Sequence, residues 1–76
     1  MQSRYHYNTD LGPFHIVEHE GLFRVVFRGY DLGAYLTAQH AADDLAQGKT
    51  FKAKGVKDTA ALGIPSDLRQ WQQLPS

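Results

Sequence analysis

The sequence predicts an α+β fold: a three-stranded antiparallel sheet packed on one α-helix, with an irregular C-terminal tail containing short helical turns. Two observations carry this. Between Phe14 and Leu36 short runs rich in aromatic and β-branched residues are punctuated by Gly21 and Gly29, as strands of a meander are. Then Thr37 opens, and Gly48 closes, an alanine-rich stretch whose apolar residues recur at helical spacing.

Each element has a local cause. Residues 1–12 are polar and aromatic (Arg4, Tyr5, His6, Tyr7) and read as a flexible N-terminal segment. Pro13 has no N–H to give a ladder, which suits the first residue of a strand. Phe14–His19 is the first predicted strand. Glu20-Gly21 is a hairpin turn, because glycine accepts the positive φ such turns need. Leu22–Arg28 is the second strand, Gly29-Tyr30-Asp31 a turn, and Leu32–Leu36 a short third strand. Thr37 is the expected N-cap. Ala38, Ala41, Ala42 and Leu45 then form one stripe, and Gly48 supplies a left-handed stop. After it, Phe51 and Val56 read as anchors within a basic run. Asp58–Gly63 reads as one helical turn, and Asp67–Trp71 as another capped by Ser66 or Asp67. Leu62, Ile64, Leu68 and Trp71 would pack the tail back onto the core. The chain thus reads as one small domain over 1–76, with a β-β-β-α core at 13–48 and a C-terminal wrap at 49–76.

Composition bounds the function. The chain has 76 residues, no cysteine, and eight basic against eight acidic side chains. Without cysteine there is neither a disulfide framework nor a thiolate metal site. A chain of zero net charge lacks the surplus of Lys and Arg that drives non-specific phosphate binding. No stretch approaches the roughly 20 apolar residues of a membrane span, and the N-terminus has no apolar signal region. A cytoplasmic location and no membrane partner are therefore expected. Charge is uneven, however: between Gly21 and Lys57 six basic residues face three acidic ones.

Alternation along the strands divides the sheet into two faces. Phe14, Ile16, Phe23, Val25 and Phe27, with Leu32, Ala34 and Leu36, read as the inner face against the helix. The outer face would carry His15, Val17, His19, Arg24, Val26, Arg28 and Tyr35, a basic, aromatic and partly apolar surface.

The junction Leu32-Gly33-Ala34-Tyr35-Leu36-Thr37-Ala38-Gln39-His40-Ala41-Ala42 resembles the sheet-to-helix junction of the Apetala-type plant DNA-binding domain. Integrase arm-binding domains share a similar build of three strands and a helix. The resemblance spans residues 21–48. It implies an outer sheet face that reads DNA, with Arg24, Arg28 and Tyr35 in the reading positions. His15 and His19 stand where that family has arginines, Val26 replaces a polar reader, and no tryptophan lies in the sheet. The whole chain, including Leu62-Gly63-Ile64-Pro65-Ser66-Asp67-Leu68-Arg69-Gln70-Trp71, also resembles a family of small bacterial proteins with no assigned activity.

No reactive constellation emerges, so no catalytic residue, cofactor or metal is assigned and an enzyme is not expected. His15 and His19 share a strand face but lie roughly 13 Å apart at about 3.3 Å per residue, too far to share an ion. His6 could join one of them, with Glu18 or Glu20 on the rim. Asp43 and Asp44 are adjacent and cannot face one another on a helix. Ser3, Ser66 and Ser76 have no His and acid partners in pattern. Lys49, Lys52 and Lys54 are candidate phosphate contacts, though a solvated run is the simpler reading. The sequence therefore favours a non-catalytic protein-interaction module, or a homodimer, using the outer face (Arg24, Val26, Arg28, Tyr35, His15, His19). The alternative is a DNA-binding module led by Arg24 and Arg28. A small-ligand or metal protein built on the histidines ranks last.

Overall fold

The computed structural model describes residues 4–51 and 58–74. Its strands are β1 (Arg4–Thr9), β2 (Gly12–His19), β3 (Leu22–Phe27), β4 (Tyr30–Tyr35) and β5 (Gln72–Leu74); the helix α1 spans Ala38–Gln47. The fold is α+β as expected, but the antiparallel sheet has five strands, not three, in the order β4-β3-β2-β1-β5. The two additional strands come from the ends of the described chain. Arg4–Thr9, expected to be flexible, pairs along β2 from Arg4↔Val17 to Thr9↔Gly12, and β5 then pairs with the free edge of β1.

Two-residue turns set the register. Glu20 and Gly21 both have positive φ (53° and 81°), as do Arg28 and Gly29 (52° and 82°), the left-handed pair whose twist matches the flanking strands. The second turn thus falls at Arg28-Gly29, earlier than expected, and β4 begins at Tyr30. A register shift opposite Val25/Val26 leaves Leu32 as an extra residue between Asp31 and Gly33. Such a bulge reverses the in-out parity of the residues after it. Leu32 is buried as expected, but Ala34 and Leu36, expected inside, are exposed, Leu36 at 79%.

The core lies between one sheet face and α1. Phe14 and Phe27 stack with ring centres 4.1 Å apart and, with Ile16, Val25 and Leu45, are fully buried. Each such side chain contributes about 1.5–3 kcal/mol by leaving water. Ala38, Ala41 and Ala42 are the helix residues that meet them, small enough for the backbone to lie close to the sheet. Thr37 caps α1, its hydroxyl accepting the His40 N–H at 3.1 Å, and Gly48 closes it at φ 74°. A Cβ at Gly48 would run into the Asp58 carboxylate, so the position excludes side chains for a second reason.

The described tail covers the same side as the helix. Asp58 caps a 3₁₀ turn at Thr59–Leu62, and the Thr59 hydroxyl donates to the Leu45 carbonyl at 2.6 Å. Of the two candidate caps for the next turn, Leu68–Gln70, Asp67 is the one used. Ile64 and Trp71 are buried, with Leu62 and Leu68 packed beside them. The Trp71 indole N–H donates to the Pro65 carbonyl at 2.8 Å, and its ring leans on Tyr7. Phe51, expected as an anchor, is 74% exposed, although its N–H bonds the Leu32 carbonyl. Val56 lies outside the described residues.

Trp71 therefore joins the tail to the first strand. Trp71→Ala should lower unfolding free energy by about 3–5 kcal/mol, whereas exposed Leu36→Ser should change it by less than about 0.5 kcal/mol. Denaturant titration of both variants checks this.

Candidate binding face

Residues paired across antiparallel strands share a face. One row of partners runs Gln72 (β5), His6 (β1), His15 (β2), Val26 (β3) and Asp31 (β4). The neighbouring row includes Arg4, Val17, Arg24 and Ala34, and His19 pairs with Leu22 beyond it. These rows form the face opposite Phe14, Ile16 and Val25, hence opposite α1. Val17 and Val26 are half-buried within these rows, and Leu22 is half-buried at the hairpin end.

Four of the six expected face residues, His15, His19, Arg24 and Val26, stand on this surface. Two do not. Tyr35 pairs with Phe23 on the helix side, because the bulge at Leu32 reverses its parity. Its ring covers Gly33 and tilts against His40 at 4.9 Å between centres. Arg28 occupies the second left-handed turn instead of the strand. Its guanidinium donates to the Leu11 carbonyl at 2.8 Å and lies 5.0 Å from the Phe27 ring centre. It therefore ties two hairpin ends together.

Electrostatics on the face are largely internal. Arg24 donates to the Asp31 carboxylate at 2.7 Å, with both side chains about half exposed. Such a surface pair is worth at most about 1 kcal/mol. Its larger effect is to neutralise the one expected reading arginine on the face. The same carboxylate accepts the Gly33 N–H, which holds the bulge. His19 sits at the rim, 3.7 Å from Glu20. Lys49 is exposed beyond the end of α1, while Lys52 and Lys54 lie outside the described residues.

Two further features are fixed by the strand pairing and the bulge. His6 faces His15 directly, with ring centres 6.0 Å apart, and the His6 Nδ1 is covered without a hydrogen-bond partner. Burial, then the nearby His6 and Arg4, hold the His15 imidazole below its ordinary pKa. The alternation of Arg4, His6 and Asn8 with Tyr5 and Tyr7 is the signal that could have found it. The second feature is a Tyr35–His40–Asp44 cluster on the helix side. Burial, then a hydrogen bond to Asp44, push the Tyr35 hydroxyl up to about 12. A phenol so strongly protonated is a hydrogen-bond donor, not a base. Among the described residues, no group of three or more His, Cys, Asp and Glu side chains is placed to hold a metal ion.

No helix of the described chain is long and apolar enough to cross a membrane. No protein-family model, curated protein or solved structure matches the chain. The chemistry of the face is therefore the guide to its use.

The Tyr35 shift makes a signed prediction. The folded chain holds this proton more tightly than the unfolded chain, whose tyrosine titrates near 10. The associated stability is intact below pH 10 and lost as pH rises toward 12. Tyr35→Phe should flatten the alkaline fall in stability measured by denaturant unfolding between about pH 9 and 12, and should remove a step near pH 12 from the phenolate absorbance titration.

Proposed function

We propose that the protein is a non-catalytic interaction module that docks a protein partner, in the first instance a second copy of itself, on the outer face of its sheet. One observation carries this reading: the helix and the described tail pack against the opposite face. The outer face meanwhile presents half-buried Val17 and Val26 beside His15 and His6, with Arg4, Arg24, His19 and Leu22 around them. An apolar centre with a polar rim is the anatomy of protein interfaces. Burying such a centre gains free energy without stripping water from unpaired charge.

The DNA-binding alternative has less support from the same geometry. Recognition of a duplex by a sheet needs several cations free to meet phosphates and base edges. Arg24 is occupied by Asp31, and Arg28 is drawn to the Leu11 carbonyl.

Sedimentation equilibrium tests the reading. The chain should form a concentration-dependent dimer, and Val26→Glu should make it monomeric while leaving its circular dichroism unchanged. A wild-type chain that stays monomeric would overturn self-association. Amide shifts confined to residues 22–35 on adding duplex DNA, and suppressed by salt, would replace the reading with DNA binding.

A further inference from the structure

Among the described residues of the outer face, the polar arrangement that its neighbours leave unsatisfied is the imidazole pair at its centre. We propose that His6 and His15 form a two-imidazole site for a divalent transition metal ion, with its remaining coordination positions open to water on the outer face of the sheet. The argument begins with register. His6 and His15 are direct partners on β1 and β2, so the ladder itself holds both rings on one face. No loop has to close to bring them together.

The spacing fits the chemistry. Ring nitrogens bind such an ion at about 2.0–2.1 Å, which puts the two ring centres roughly 5–6.5 Å apart for angles at the metal between tetrahedral and linear. The observed separation is 6.0 Å, with the rings tilted by 45°. The separation is one that a shared ion can bridge, although tilted rings at this distance also make an ordinary aromatic contact. Within the pair, the covered His6 Nδ1 has no hydrogen-bond partner. An unsatisfied buried nitrogen costs free energy that an ion or a rotated ring would recover.

Protonation and charge act in opposite directions. Metal binding requires neutral imidazole. An imidazole with the ordinary pKa of about 6.5 is mostly neutral at and above pH 7, so its lone pair is available there. Among the described residues of this face, Arg4 lies diagonal to His15 across β1 and β2 and Arg24 diagonal to it across β2 and β3; both guanidinium groups oppose a cation, Arg24 less because Asp31 pairs with it. Gln72, in register with His6 on β5, adds no charge. Imidazole ligation selects the zinc, copper and nickel class over magnesium or calcium. Two protein ligands leave a site that binds reversibly, with exchangeable waters, unlike a closed structural zinc site.

The test is a titration of the full chain with zinc chloride near neutral pH, monitored through the histidine ring resonances in NMR. Zinc should shift the rings of His6 and His15 together at one equivalent, leave His19 and His40 unmoved, and be reversed by EDTA. His6→Gln and His15→Gln should each weaken binding at least tenfold, and Arg4→Ala should tighten it. Rings that do not move, or that move equally in all four histidines, overturn the proposal, and so does unchanged affinity in folded single variants. The wild-type ring shifts decide the matter even if a variant fails to fold. The experiment is run where the chain is monomeric, so it stands or falls apart from the docking reading.

Discussion

A five-stranded sheet has two faces, and this chain lays its helix and its described tail on only one of them. That one-sided burial is the constraint on which the rest of the structure depends. The stacked Phe14 and Phe27 sit at the centre of the covered side, and α1 can reach them only because it brings alanines. Larger helix residues would lift α1 away and leave space around Leu45 and Ile16, a loss that cores feel at the level of single methylene groups. The tail then fills what the short helix leaves open, with Ile64 and Trp71 as its anchors.

The uncovered side has to be tolerable in water, and the way it achieves this shapes any function. Its valines are half-buried and stand in register beside arginines and histidines, side chains whose stems suit apolar surface while their polar ends stay wet. Arg24 is tied to Asp31, and Asp31 in turn holds the bulge at Gly33. One carboxylate thus links the charge of the outer face to the backbone geometry that turns Tyr35 toward the helix. The fold and the candidate site are coupled at that residue.

Much of this was legible in residues and their spacing. The Thr37 cap, the alanine stripe, the Gly48 stop and the hairpin at Glu20-Gly21 each have a local cause and form where expected. What local reasoning missed is physically non-local. The strand at Arg4–Thr9 shows an aromatic-polar alternation, but a polar segment becomes a strand only if an edge is there to receive it. Gln72–Leu74 carries no strand signal; Trp71 fixes its position beside β1. One inserted residue at Leu32 reversed Tyr35, Ala34 and Leu36 together, since side-chain parity is a property of pairing. Of the face, the individual histidines were visible. That His6 could join one of the other two was visible as well; that its partner is His15 was not, because His6 belonged to a segment read as flexible.

The pairing of β1 with β5 also has a kinetic meaning. Arg4 lies against Leu74, 70 positions away along the chain (74 − 4). The hairpins from Gly12 to Tyr35 and the helix after them are built from near neighbours and can form early, since contacts close in sequence require little loop closure. The last strand and Trp71 cannot take their places beside β1 until the intervening segment is available. Synthesis from the N-terminus would therefore leave this edge of β1 open until Gln72–Leu74 is made, and the residues beside Trp71 that complete the sheet also help to seal the core.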